Sequence, residues 1–342
     1  MKPVSVIISI RNCEDYIAEC LESLEAQTFK DFEVVIVLDA PDDRTPEIVE
    51  SFQGRLDLRT FRNEKVMGKP LNLNRAWSEA RGEFIALVDG DDVILPRKLE
   101  VQLAYMRRRP QLGFTGTMGC YCGAKEGKIG IPRKAVECRF WLLCCMSPFL
   151  HSSVMFRREI FDDAGLQYRD EKVYTGMEDY RLWAEALFAG IKFANINRDF
   201  YRWRQHADNT AATRDNTYYH SLKKAHHRYL LDGFGINASD AELALHRRFG
   251  AMQVEDDPGA VTATLEWIGK LAPRDFNNFG IPRKTFVKLL RLRWAVVVFN
   301  NCVRRRSPNV KLYFGKAGRF DPLGAWRIPM WITARHSRFF IK

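Results

Sequence analysis

Buried apolar runs alternate with helical periods through the first 110 or so residues, and that alternation leaves few folds open. Residues 4–10 (VSVIISI) form a near-continuous β-branched run, the pattern of a strand covered on both faces. Ile17, Leu21 and Leu24 then recur at helical spacing up to Gln27, with Asn12 as the expected N-cap. A second strand is read at 33–38 (EVVIVL). Pro46 marks where a helix begins, and Gly54 marks its end. A third strand follows at 56–61, a helix at 70–80, a break at Gly82 and a fourth strand at 84–88. Pro96 opens a helix over 97–108, which stops before Pro110. The alternation predicts an α/β fold on a parallel sheet with right-handed crossovers. Ligands of such sheets bind beyond the carboxyl ends of the strands. Acids stand at two of those ends: Asp39 after the second strand, and Asp89-Gly90-Asp91-Asp92 after the fourth.

Beyond Pro110 the pattern is mixed. A strand is read at 113–118, an aromatic and cysteine-rich stretch at 140–145, an apolar run at 154–156 and a helix at 178–189. From Asn216 the character is helical: 216–231, 240–253, 257–271 and 283–303. The expected division is therefore a catalytic domain over 1–215 and a helical, strongly basic region over 216–342. The basic character is local. Residues 281–342 hold 15 of the 53 Lys/Arg and one of the 42 Asp/Glu, so they carry +14 while the rest of the chain carries −3. A segment of that kind points to a polyanionic surface.

Other classes find little support. A hydrophobic fraction of 46% allows a sizeable core, and no apolar run is long enough to span a bilayer. The opening MKPVSVIISI lacks a small-residue cleavage site and reads as a core strand, not a signal peptide. The eight cysteines, including Cys120-x-Cys122 and Cys144-Cys145, lack ligand spacing and read as thiols in a reducing cytoplasm. The turn after the first strand, IRNCED, carries no dinucleotide-binding glycines, and there is no P-loop. No nucleic-acid recognition module is visible, so nucleic acid is not an expected partner.

Three carboxylates within four residues repel one another. Either the segment is a solvated acidic turn capping the next helix, or a hard divalent cation, Mg²⁺ or Mn²⁺, resolves the repulsion and takes further oxygens from a diphosphate.

The segment VSVIISIRNCEDYIAECLESLEAQTFKDFEVVIV resembles the first strand, helix and second strand of family 2 glycosyltransferases of the GT-A fold, including the Gln-Thr before the second strand. GEFIALVDGDDVILPRKLE resembles that family's metal-binding segment, and the likeness extends over 3–213. It implies a Rossmann-like mixed sheet flanked by helices, here with a C-terminal helical extension. It also implies inverting transfer of a sugar from a nucleotide-diphosphate donor, a UDP-sugar being the common case, to an acceptor hydroxyl.

The residue roles follow from the same resemblance. Asp39 takes the acid that bonds the nucleotide base, in Leu38-Asp39-Ala40-Pro41 where the family usually reads Asp-Asp-Gly-Ser. Ser9 and Arg11 lie on the donor side, Arg11 standing where an aromatic is frequent; a guanidinium plane also stacks on a base. Lys69, in the stretch of Asn63 and Gly68, reaches donor phosphates. Asp89 bonds the donor ribose or sugar, Asp91 the metal, and Asp92 supports them. His206, in YRWRQHADN, completes the metal site, and imidazole suits Mn²⁺ better than Mg²⁺. Asp179 in TGMEDY matches the catalytic base, with Glu178 beside it and His151 on the acceptor side. A base is required because the acceptor hydroxyl loses its proton as it attacks.

The leading expectation is an enzyme extending a lipid-linked surface glycan: lipooligosaccharide (or lipopolysaccharide more broadly), O-antigen or capsule. It would act as a peripheral protein on the cytoplasmic side of the inner membrane, with the basic segment and its aromatics on anionic lipid. An ordinary helical subdomain is the alternative reading of that segment. A sugar nucleotidyltransferase would need a glycine-rich basic loop that IRNCED does not offer. A non-catalytic sugar-nucleotide or glycan-binding module would tolerate loss of Asp91, Asp179 or His206, and all three are present.

Overall fold

Four parallel strands form the first half of a nine-stranded sheet, as the buried runs predict. They are β1 (Val4–Ile10), β2 (Phe32–Leu38), β3 (Leu58–Arg62) and β4 (Phe84–Leu87), ordered β3-β2-β1-β4. The computed structural model describes residues 2–169, 177–206, 216–304 and Tyr313. All seven residues of β2 are buried, as are six of seven in β1. Each such Val or Ile contributes about 1.5–3 kcal/mol on burial, which fixes the sheet in the core.

The helices on this half are α1 (Ile17–Glu25), α2 (Thr45–Glu50), α3 (Lys69–Glu79) and α4 (Lys98–Arg107). Asn12 does not cap α1, which begins five residues later. Its side chain instead accepts from the Asp42 N–H (3.1 Å) and donates to the Asp42 carboxylate, tying the end of β1 to the loop after β2. The Gln-Thr pair has a structural role. Buried Gln27 donates to the Ser23 and Leu95 carbonyls (3.0 and 2.9 Å) and accepts from the Leu99 N–H (3.2 Å), so α1 grips the start of α4.

The second half of the sheet makes it mixed. After β5 (Val93–Ile94) come β6 (Leu112–Gly123), β7 (Gly127–Lys128), β8 (Met155–Arg157) and β9 (Lys192–Gln205). The order continues β4-β8-β6-β9-β5, with β7 on β6. β8 is antiparallel to β4 and β6, β9 is parallel to β6, and β5 is antiparallel to β9. The dipeptide β5 and the 14-residue β9 escape the sequence reading. One is too short for a period, and the other mixes charged and apolar residues without strict alternation.

Chain contacts divide the molecule into two compact units: residues 1–133 with 149–222, and residues 134–148 with 223 onward. The first also holds α6 (Arg158–Asp163) and α7 (Glu178–Phe188); the second holds α5 (Ala135–Leu143). In the first unit Trp183 of α7 is wholly buried and stacks on Phe114 (4.9 Å) and Phe156 (5.8 Å), which anchors α7 to β6 and β8.

The second unit continues with α9 (Asp240–Gly250), α10 (Pro258–Leu271) and α11 (Arg283–Val298). An eighth helix, α8 (Asn216–Gly233), precedes them. Their spans agree with the helical reading of this region. Within that unit the His246 ring donates from Nε2 to the Leu143 carbonyl (2.6 Å) and accepts at Nδ1 from Trp267 (3.1 Å). No described helix is long and apolar enough to cross a membrane. Most of the basic segment beyond Arg304 lies outside the described residues.

Candidate active site

The acidic segment sits at the carboxyl end of β4, beside the carboxyl end of β1. Gly90 makes that possible. A Cβ at this position would lie 2.3 Å from Ile10 Cγ2, so only glycine lets the loop close on β1. The Asp89, Asp91 and Asp92 side chains offer ligand atoms within 4.8 Å of one another.

Each carboxylate has a different setting. Asp89 accepts from Lys69 Nζ at 2.7 Å. Burial pushes its acidity toward the neutral form, but the Lys69 charge prevails and holds the carboxyl below its ordinary range. Asp92 is buried, bonded to the Tyr201 hydroxyl and to the Arg204 N–H (2.7 Å). Burial first, then the charges of Asp91 and Asp89, push its carboxyl well above the usual range. Asp91 meets His206 Nε2 at 3.0 Å, and the His206 ring packs on Tyr16 with centroids 4.5 Å apart. The pairing of β5 with β9, Val93↔Arg202 and Ile94↔Tyr201, brings His206 to the acids although 114 residues separate it from Asp92. Arg204 adds a bond from Nε to the Asp91 carbonyl (2.9 Å).

Lys69 opens α3 immediately after Gly68, whose φ of 92° is a left-handed conformation suited to glycine. The same loop surrounds Asp39. Its carboxylate accepts from Asn63 Nδ2 (3.0 Å), the Met67 N–H (2.7 Å) and the Gly68 N–H (2.9 Å). Burial acts to raise the Asp39 carboxyl, yet these donors hold it below the usual range. Asp39 is only 5% exposed, and these donors engage both of its oxygens within the protein. Ala40, at the position where the resemblance has glycine, adopts φ 47°. A left-handed alanine costs about 1–2 kcal/mol.

On the other side of Asp89, His151 is half-buried and bonds the Tyr168 hydroxyl at 2.9 Å. Burial first, then Lys69, pulls its imidazole down to about 3, against the opposing charge of Asp89. Glu178 and Asp179 form the first turn of α7, where the helix dipole favours negative charge. Met177, not Asp179, is the N-cap. Glu178 is 9% exposed, and its Oε2 is buried without a hydrogen-bond partner among the described residues. Its charge acts on Lys69, and the charges of Asp179, Glu178 and Asp89 all act on Tyr168.

Asp89, Asp91, His206, Lys69, His151, Glu178 and Asp179 thus share one neighbourhood. Asp39 joins it through the 63–68 loop. Ser9 is half-buried on β1 opposite Val37, and Arg11 is exposed just past β1. Tyr16, Tyr168, Tyr201 and the Arg204 backbone are the members that the sequence reading misses. Tyr201 and Arg204 fall within the segment quoted for His206. Tyr16 and Tyr168 carry no local signal, since their partners are distant in sequence.

A mixed sheet of this order, with an Asp-x-Asp-Asp turn at its centre, defines a glycosyltransferase of the GT-A fold. The crystal structure of S. aureus TarS residues 1–349 in complex with UDP-GlcNAc is similar over 93% of this chain and 91% of that one, with a TM-score of 0.58 at 19% identity. The chain belongs to glycosyl transferase family 2. Residues 5–165 match that family's model. An uncharacterized glycosyltransferase of Methanocaldococcus jannaschii is 31% identical over 210 residues, 59% of this chain and 70% of that protein. The UDP-Glc:α-D-GlcNAc-diphosphoundecaprenol β-1,3-glucosyltransferase WfaP of Escherichia coli is 27% identical over 237 residues, 67% of this chain and 91% of WfaP.

Proposed function

We propose that the protein is an inverting transferase that moves a sugar from a UDP-sugar to a hydroxyl of a lipid-linked glycan. The observation that carries this reading is the Asp91–His206 pair beside the Lys69–Asp89 ion pair. The TarS structure was obtained with UDP-GlcNAc, and WfaP is named for a UDP-glucose donor and a diphosphoundecaprenol-linked acceptor. Both favour a uridine donor, and the second favours a lipid-linked acceptor of the O-antigen or capsule type.

The donor set fits a divalent cation: three clustered carboxylates with hard oxygens, of which burial first and then the charges of Asp91 and Asp89 raise Asp92, and the His206 imidazole against Asp91. Asp91 and His206 would hold Mn²⁺ or Mg²⁺. When bound, the ion supplies positive charge to the leaving diphosphate.

This chain's residues do the rest. Ser9, Arg11 and Asp39 bind the nucleoside, Lys69 faces the phosphates, and Asp89 orients the ribose or sugar. The acceptor oxygen attacks the anomeric carbon as the bond from that carbon to the diphosphate oxygen breaks. Asp179 takes the hydroxyl proton, and the single displacement inverts the centre. Glu178 and His151 lie on the acceptor side. Residues 1–215 serve as the catalytic domain, and the basic region over 216–342 holds the enzyme at the cytoplasmic face of the membrane.

Isothermal titration of UDP with and without Mn²⁺ tests the reading. Asp91→Asn and His206→Ala are each expected to weaken the metal-dependent part of UDP affinity. Unchanged affinity in both variants would remove the metal assignment. Tighter binding of guanosine or thymidine diphosphate would overturn the uridine assignment.

A further inference from the structure

Tyr168 is 3% exposed and held on both sides by one side chain of α3. Its N–H donates to Asn74 Oδ1 (3.0 Å), and its carbonyl accepts from Asn74 Nδ2 (2.7 Å). The amide of Asn74 therefore fixes the Tyr168 backbone much as a strand partner would. The Tyr168 ring stands nearly perpendicular to the His151 ring, at 78° and 5.6 Å. Trp183 meets the His151 ring at 61° and 6.2 Å. Two buried aromatics thus limit the orientation of the imidazole.

The direction of the Tyr168–His151 bond follows from acidity. A phenol, with an ordinary pKa of about 10, gives up its proton far more readily than a neutral imidazole N–H. The stronger arrangement is therefore O–H donating to a bare Nε2. Burial first, then the charges of Asp179, Glu178 and Asp89, keeps the proton on the phenol. With Nε2 accepting, the ring hydrogen resides on Nδ1.

We propose that Tyr168 is a positioning residue for glycosyl transfer: it fixes His151 as the neutral Nδ1–H tautomer, a hydrogen-bond donor for an acceptor hydroxyl oxygen. The proposal rests on the transferase reading above. An uncharged donor orients the acceptor without adding a second cation next to Lys69. It also leaves the acceptor proton to the carboxylate of α7.

The tautomer is read from ¹⁵N–¹H imidazole correlations of the full chain, with the His151 signal assigned from its loss in His151→Asn. Wild type is expected to show Nδ1–H across neutral pH, and Tyr168→Phe to show averaging between the two tautomers. An Nε2–H wild type, or a tautomer unchanged in Tyr168→Phe, overturns the proposal. The kinetic arm follows hydrolysis of UDP-GlcNAc with Mn²⁺. Tyr168→Phe is expected to lower kcat about tenfold, the scale of one hydrogen bond, with UDP affinity within about twofold of wild type. His151→Asn, whose amide stands at the δ position, is expected to retain more activity than His151→Gln. Wild-type kcat in Tyr168→Phe, or the reverse order of Asn and Gln, overturns it. Should Tyr168→Phe fail to fold, the order of the two His151 variants decides. Failure of wild type to bind UDP would instead count against the transferase reading, and the tautomer would still be decided by the spectra.

Discussion

Asp179 lies inside the first turn of α7, not at its cap, so a capping role does not compete with the role of base. Asp179→Asn keeps the geometry and the place in the helix but cannot take a proton. It is expected to retain UDP affinity while transfer falls by at least about a hundredfold. Near-normal turnover in a direct transfer assay would shift the base to Glu178, whose Oε2 is buried beside Lys69. A second residue, Gly90, is needed for space. Gly90→Ala drives a methyl against Ile10 and, more loosely, Ile17. The expected loss is about 1–3 kcal/mol in a urea melt, the usual cost of overpacking, accompanied by weaker UDP binding as the acid loop shifts. Wild-type stability would mean that Ile10 rearranges freely and that the loop has slack.

Among the elements, β5 has two residues and a large effect. Its pairing with β9 aligns Tyr201 and Arg204 on Asp92 and carries His206 to Asp91. α7 owes its orientation to Trp183, which sits in the aromatic core and leaves the acidic first turn at the site. In the second unit, α9 and α10 are joined through His246. Burial first, opposed by the bond to Leu143 and aided by Arg293, pulls its imidazole down to about 4. The folded state keeps this ring neutral, whereas the unfolded chain protonates it near the ordinary value of about 6.5. Its contribution is therefore complete above about pH 6.5 and is lost as pH falls toward 4, because the unfolded state then binds the extra proton. Melting temperature measured against pH is expected to decline across this window. His246→Phe is expected to reduce the slope by the equivalent of about one proton, and an unaltered slope would show that His246 charges within the fold.

At the scale of the whole molecule, the charge is divided as sharply as the chain. Residues 281–342 carry +14, and α11 displays part of it. Lys284, Lys288 and Arg291 are exposed at spacings of four and three, while Phe286 and Leu290 are buried. Anionic lipid attracts each well-placed base by about 1 kcal/mol within a Debye length. Intact protein is expected to sediment with phosphatidylglycerol vesicles in a salt-sensitive way and not with phosphatidylcholine vesicles. A cut at Ile281 would strip Phe286 and Leu290 from the core, so the better variant replaces Lys284, Lys288 and Arg291 by Gln and ends after Tyr313. Equal sedimentation of the two proteins would reject membrane docking by this region.

Much of this was legible in residue order. Near-continuous apolar runs and 3.6-residue periods are local, so β1 to β4 and α8 to α11 could be read directly, as could the acids at the strand ends, whereas α5 reads only as an aromatic and cysteine-rich stretch. The resemblance named Asp91, His206 and Asp179 by motif. It could not show that Asn12 bonds Asp42 in place of capping α1, that 134–148 joins the helices beyond 223, or that Tyr168 holds His151. Those facts depend on contacts between residues far apart in sequence. No local period encodes such contacts; the closing of β9 on β5 and the packing of α3 and α7 on one sheet decide them.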